Sequence, residues 1–577
     1  MSANNIFSSI YHQPCCGSQK NRLSTNAKNS LDLIQRLKLH KKLAVHRGCV
    51  NSVQWNERGN VLLSGSDDQH LVMTHGHLYK VLWKYKTSHK ANIFCAKFLP
   101  NSNDYNIVSC SGDGMILHTD INNTEGTKDD KILCHCGAVY EIETTHTDPT
   151  CFMTCGEDGM VRWFDLRVHS KCKKKQCKDN VIISCRRAVT ALTCNFLRPY
   201  EVAIGTSDSA VRLYDRRYTK ECSVSGLSTK TEHIQSVCAF MLPEFNGKCH
   251  RITSLEFSPD ANQLLVSYSS EYLYIYDVQG QGWAELKKAA LYDDTLRAPK
   301  CSNRASVPKL RLRGDWSDTG PEARPERESN SSSGDGSENP PSVHTALMHR
   351  MTQVLSRMLN DPVTRAALNN PPTENVEEEE SSARDLNQNE TAERSCNSSC
   401  STHCRRRNKG NSFDDSDGTP ILTVPFLQKY TGHRNVRTMI KEATFWGTDY
   451  VMSGSDCGHI FIWDRKTAEL VMLLQGDHHV VNCLQPHPTL PYLATSGIDY
   501  DIKIWSPTNE TNGFHTDAAE ALMKRNEKML EETRDTITVP ASFMIRMIAR
   551  ISHTRRGMMG NSGGQSSVEH NQEAESD

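Results

Sequence analysis

Short apolar runs, each cut off by small or turn-forming residues, recur along most of this chain, and one stretch shows the unit most clearly. There Gly156-Glu157-Asp158-Gly159 precedes Met160-Val161-Arg162-Trp163-Phe164-Asp165-Leu166-Arg167. Asp158 brings a side-chain acceptor for free backbone N–H groups and Gly159 tolerates either sign of φ, so the pair predicts a tight turn. Met160 to Phe164 are bulky and strand-prone, which predicts a short strand, and the aromatic-Asp-x-Arg ending sets a charged pair just past it. Lining up the turn acid six residues before the strand-closing position gives Asp68, Asp113, Asp158 and Asp208, separated by 45, 45 and 50 residues. That period is the signature of a four-stranded propeller blade.

Three further copies carry defects. The fifth, Val266 to Asp277, has Ser270 where the acid belongs; the sixth, Val451 to Asp464, has Cys457 there with Asp456 one place early; the seventh restores the acid at Asp499. Seven copies predict an all-β fold, a seven-bladed β-propeller filling residues 46–279 (blades one to five) and 426–508 (blades six and seven). An open edge in such a ring invites aggregation, and the roughly alternating segment Leu37 to Val45 is the expected closing strand. Before it, Leu31, Ile34 and Leu37 in helical register behind Ser30 predict a short capped helix, so residues 30–45 form one unit after a disordered stretch 1–29.

Between Ser270 and Cys457 the spacing jumps to 187 residues, about 140 more than a blade needs. A long insertion between blades five and six, residues 280–425, accounts for it. Its polar tracts, Ser317 to Ser342 and Asn369 to Thr419, cannot bury enough surface to offset ordering entropy and are expected to be disordered. Between them, an apolar stripe predicts a docking helix near residues 343–359. Two C-terminal helices are expected over 516–556, the second opened by Pro540, with a disordered tail over 557–577.

Composition supports one large repeat fold with unstructured additions: only 37% of the 577 residues are apolar, below the usual range of about 45–50%. A net charge of −1 argues against direct, charge-driven nucleic-acid binding. No apolar run is long enough to span a membrane. Of 22 cysteines, Cys95, Cys110, Cys155, Cys194 and Cys238 fall within strand-like runs and read as small buried hydrophobes in a reducing compartment. Cys396, Cys400, His403 and Cys404 have metal-ligand types without the usual paired knuckles. Arg405, Arg406, Arg407 and Lys409 form a candidate nuclear import signal. No phosphate-cradling loop, nucleophile elbow or paired metal motif points to catalysis or to a cofactor.

The blades resemble the WD-repeat family, which carries Gly-His before the first strand and Trp-Asp at the end of the third. Gly432-His433 and Trp463-Asp464 match both halves, while His46, His89, His135 and His478 stand near the histidine place and blade four offers Arg186. In that family such histidines and the turn acids, here Asp68, Asp113, Asp158, Asp208 and Asp499, hydrogen-bond within a blade, which is the reading favoured over a metal or catalytic role.

Phe164-Asp165-Leu166-Arg167 and Tyr214-Asp215-Arg216-Arg217 repeat one ending on consecutive blades. The doubled box resembles that of WD-repeat substrate receptors of cullin-4 RING ubiquitin ligases. The runs Arg311 to Pro321 and Ser453 to Trp463 are similar to one branch of those receptors that also coactivates steroid receptors. The resemblance implies a non-catalytic receptor that docks to the ligase's propeller adaptor through Phe164, Asp165, Arg167, Tyr214, Asp215 and Arg217. It also implies contact with steroid nuclear receptors and a nuclear and cytoplasmic location. A general transcriptional scaffold without ligase association is the alternative. Two departures stand out: Ile34-Gln35 is followed by Leu39 where a calmodulin-type motif needs a basic residue, and Leu470 to Leu474 spells L-x-x-L-L where a blade strand is due.

Overall fold

The structure is a computed structural model that describes residues 19–278, 309–313 and 421–540, apart from short breaks at 123–126, 169–171, 173–176, 178–179, 223–230, 246–248 and 535. The expected helix near 343–359, the polar tracts, Cys396 to Lys409, the second C-terminal helix and the tail lie outside the described residues.

Seven antiparallel sheets form the blades of the expected propeller. Blade three shows how the sequence makes one. Its strands are Val139–Thr144, Cys151–Gly156, Met160–Asp165 and Val181–Ser184. Gly159 turns at φ +75°, and a Cβ there would lie 2.3 Å from the carbonyl oxygen of Cys185, so only glycine fits. Alternation aims Phe152 and Phe164 at Val108, Cys110 and Ile116 of blade two. The opposite face aims Met153 and Val161 at Val202, Ile204 and Tyr214 of blade four. A sheet covered on both faces needs apolar residues at successive positions, which is why the strand reads bulky throughout.

The first strand of six blades carries a register shift, as between Val139 and Glu141, between Ile93 and Cys95, and between Val481 and Cys483. In blade six the pairing from Ala443↔Ser453 to Trp446↔Tyr450 runs without one. The ring is closed by Lys38–Leu43, antiparallel to Ile502–Ser506 of blade seven, with Leu43 opposite Ile502. The insertion leaves after Leu273–Asp277 and the chain returns as Ile421–Thr423, parallel to the outer strand of blade four, then as Gln428–Tyr430, the outer strand of blade five.

Three segments differ from expectation. Residues 19–28, expected within a disordered terminus, form the helix Gln19–Lys28. Contacts far away in sequence hold its end: Trp446 Nε1 donates to Lys28 O at 2.7 Å and Lys28 Nζ to His487 O at 2.5 Å. Lys309–Arg313, inside the insertion, pairs in parallel with Thr536–Pro540. Pro540 therefore ends a strand before any second helix; Thr536 to Val539 are β-branched, and a proline lacking N–H suits a strand end. The first C-terminal helix, Thr516–Arg534, seats on blades five and six: Asn526 Nδ2 donates to Gly432 O at 2.8 Å and Leu530 is fully buried. No described helix is long and apolar enough to cross a membrane.

The turn acids divide by blade. Asp158 lies 3.0 Å from His135 Nδ1, and His135 Nε2 lies 2.9 Å from Thr154 Oγ1. Asp68 makes the same contact with His46 at 3.2 Å and Asp113 a looser one with His89 at 3.7 Å. In blade seven the ring that reaches Asp499, at 2.9 Å, belongs to His479; His478, the expected residue, donates only its backbone N–H. In blade four Arg212, not Arg186, fills the place, with Nη2 2.9 Å from Asp208. The guanidinium starts on the neighbouring strand and is long enough to replace an imidazole across the turn.

Candidate docking rim

Strands alternate in direction, so the turn between a blade's first and second strands and the end of its third strand share one end of the ring. At that end lie Arg167 and Arg217. Leu166 N donates to Thr150 O at 3.0 Å and Arg216 N to Tyr200 O at 2.8 Å, so both boxes leave their strands by the same backbone bond. Beyond it, Arg167 Nε donates to Asp165 Oδ1 at 3.0 Å and Nη2 to Oδ2 at 2.7 Å. Arg217 repeats this on Asp215 at 3.0 and 2.6 Å. The hydrogen bond from Arg167 holds the Asp165 carboxyl down at about 2, and Arg217 holds Asp215 below the carboxylate range in the same way.

Local pairing and surface presentation thus coexist. The two guanidiniums are locked by their aspartates while their side chains stay 71% and 56% exposed. An aspartate-braced fork loses little rotamer entropy on meeting a partner, and arginine's planar donors suit interfaces. The aromatic members of the boxes have another job. Phe164 is buried and stacks on Phe152 with centroids 5.2 Å apart, and Tyr214 is buried among the residues between blades three and four. Of the six residues assigned to docking, the two arginines are the most exposed, the aspartates orient them, and the aromatics are core.

Arg216 is a member of this rim that the aromatic-Asp-x-Arg pattern does not single out. Its Cζ lies 3.6 Å from the Trp163 ring centroid of blade three, while the Cζ of Arg217 lies 3.6 Å from that of Tyr200. Burial lowers the Arg216 pKa, as expected for a guanidinium laid between blades. The only sequence signal was that the x position of the box is arginine in blade four and leucine in blade three. At the same end of the ring Val168, next in sequence to Arg167, and Phe196 and Leu197, between the first two strands of blade four, are 70%, 70% and 60% exposed. Exposed apolar side chains beside oriented arginines are typical of a protein interface.

Inside the ring, the channel opens at the same end as a cavity of about 580 Å³. Glu141, Glu143, Glu256 and Glu442 line it, Lys97 pairs with Glu143, and burial pushes Glu256 up to about 8. Leu470–Gln475, the L-x-x-L-L run, is the outer strand of blade six with Met472 and Leu474 buried, so it is not a helix that a receptor groove could take. Ile34 of the Ile-Gln pair is also buried.

The model of the WD domain, G-beta repeat, matches residues 37–73 and 469–506. DDB1- and CUL4-associated factor 6 from Homo sapiens is 32% identical, covering 92% of this chain and 94% of that protein. Its Mus musculus counterpart is also 32% identical over 92% of this chain and 95% of its own length. WD and tetratricopeptide repeats protein 1 from Homo sapiens is 27% identical over 83% of this chain and 86% of its own. The alignment with the first of these runs over 826 positions against 577 residues here, so that relative holds sequence this chain lacks.

Proposed function

This chain belongs to the WD-repeat family of DDB1- and CUL4-associated factor 6, and from that membership we propose that it is a non-catalytic substrate receptor of a cullin-4 RING ubiquitin ligase. In this reading it docks to the DDB1 propeller adaptor through Arg167 and Arg217. The observation that carries the docking surface is the matched pair of aspartate-braced, exposed guanidiniums on consecutive blades, at an end of the ring that also bears exposed apolar side chains. The ring supplies a rigid frame, so the spacing of the two forks is set by blade packing and not by loop sampling. Substrate is then recruited elsewhere on the chain, leaving ubiquitin transfer to the ligase's own catalytic parts.

Co-purification with the adaptor tests this. Arg167→Ala combined with Arg217→Ala should lower recovery of the adaptor by tenfold or more, about 1.4 kcal/mol or beyond, with the thermal unfolding midpoint unchanged. Unchanged recovery of the adaptor would remove the rim arginines from the docking surface.

The resemblance also supports a role as a nuclear receptor coactivator, with the chain acting in nucleus and cytoplasm. With Leu470 to Leu474 committed to a strand, that role runs through residues 279–420 or through the chain beyond Pro540. Deleting residues 302–420 should abolish receptor-dependent transcription while leaving adaptor recovery intact; intact transcription would move the role away from the insertion. If both roles fail, a general protein-binding scaffold remains.

A further inference from the structure

Three thiols meet where blade two abuts blade three. Cys134 follows Lys128–Ile132, the outer strand of blade two, while Cys172 and Cys177 belong to the connection between Met160–Asp165 and Val181–Ser184 of blade three. The Sγ atoms all lie within 4.8 Å of one another. Backbone contacts, independent of the sulfurs, bring the segments together: Leu133 N donates to Cys172 O at 2.8 Å and Cys172 N to Lys131 O at 3.2 Å. Cys134 and Cys177 are buried and Cys172 half-buried, against a cluster that includes Leu99, Ile132 and Phe164.

Asp477, Asp499 and Asp501 make a second group equally tight, and the contrast is instructive. There Lys503 Nζ sits 2.5 Å from Asp477 and also pairs with Asp501, so the carboxylates already hold their cation. The cysteines have a different chemistry. Thiolates are soft ligands suited to zinc, and three from two separate segments exceed what one disulfide would use. Tetrahedral zinc with Zn–S bonds of about 2.3 Å sets sulfurs about 3.8 Å apart, which side-chain rotation reaches from the observed spacing.

We propose that Cys134, Cys172 and Cys177 bind one zinc ion, with a solvent oxygen in the fourth position, as a structural clamp between blades two and three. Binding exchanges three S–H bonds for three Zn–S bonds, releases three protons to solvent and involves no electron transfer. The resulting tris-thiolate site carries one negative charge, and the same connection is rich in cations: Lys171, Lys173, Lys174, Lys175 and Lys178 flank the two cysteines in sequence. Each thiol must lose its proton to bind, so protons and zinc compete and affinity falls as pH falls. The clamp fixes the connection that begins immediately after Arg167, but the proposal does not depend on the docking reading.

The test uses the full chain, purified without chelator from cells supplied with zinc sulfate, with metal counted by plasma mass spectrometry. About one zinc per chain is expected, retained in Cys249→Ala, an exposed cysteine elsewhere, and lost in Cys134→Ala with Cys177→Ala. Wild-type protein loaded with cobalt(II) chloride should show the thiolate charge-transfer and strong d–d bands of a tetrahedral site, absent from that double variant. Should the variant fold poorly, titrating wild-type protein with p-mercuribenzoate must release zinc in step with thiol modification. Metal-free wild-type protein without cobalt bands, zinc retained by a folded double variant, or a disulfide between any two of the three cysteines would overturn the proposal.

Discussion

In blade three Asp158 reaches His135 and, through it, Thr154, and it also accepts from Cys136 N and Met160 N. In blade six the acid stands one place earlier, so Asp456 accepts from Lys441 at 2.6 Å and from Val436 N and Arg437 N. His433 is left with no hydrogen-bond partner at either ring nitrogen and packs edge-on to Trp463 at 5.6 Å. Blade six is nonetheless the one that spells both Gly-His and Trp-Asp. A single register step of one carboxylate changes the partner, because a hydrogen bond tolerates only a few tenths of an ångström while a motif tolerates a residue. Blade six compensates with a buried ion pair and with the helix Thr516–Arg534 laid against Gly432. Blade three has its acid in register and makes the histidine bond directly.

The strongest way to break this contrast is Asp456→Ala. It strands the fully buried Lys441 ammonium, and such losses cost about 3–5 kcal/mol; urea denaturation should show it as a large drop in midpoint. A near-neutral result would mean that Lys441 finds another partner and that blade six does not rest on this pair.

Acid sensitivity separates the blades next. Burial holds His433 near 3, well under its ordinary value, so the unfolded chain takes up the proton first. Its contribution is fully present above about pH 6.5 and is lost as pH falls toward the folded value, about 2 kcal/mol between pH 6.5 and 5. His433→Phe should flatten that part of the stability profile. His487, lowered to about 4 by burial, acts with the same sign and leaves a remainder.

In blade three burial raises Asp158, but the hydrogen bond and charge of His135 outweigh it and hold the carboxyl low. The stability it brings is therefore present above the ordinary carboxylate range and lost only as pH falls below about 4. Asp158→Asn should cost about 1.5 kcal/mol at neutral pH and progressively less as pH falls below about 4, measured by thermal unfolding at neutral pH and at pH 3. The smallest effect on folding is expected from Arg167→Ala with Arg217→Ala, under about 0.5 kcal/mol for exposed pairs; a larger loss would make the rim part of the frame and confound its reading as a docking surface.

What could be read in advance follows the range of each interaction. The turn at Asp158-Gly159 and the strand after it are written in adjacent residues, and the acid at a set offset from the strand end is a local ruler. The rim arginines were legible because they sit at a fixed offset from that ruler. Arg212 in place of Arg186, and His479 in place of His478, were not, since which side chain spans a turn depends on its length and on the strand it starts from. The helix Gln19–Lys28 gave little signal because its fixing bonds come from Trp446 and His487, more than four hundred residues away.

The sequence by itself determined seven blades, a long insertion after the fifth core and two equivalent arginines, because period, turn chemistry and offset are properties of neighbouring residues. Only the tertiary structure decided that Phe164 and Tyr214 face inward, that Arg216 lies over Trp163, that Asp456 holds Lys441, and that Cys134 meets Cys172 and Cys177. Each of these joins strands of different register or different blades. Such contacts depend on how sheets twist and pack against one another, which no single repeat encodes.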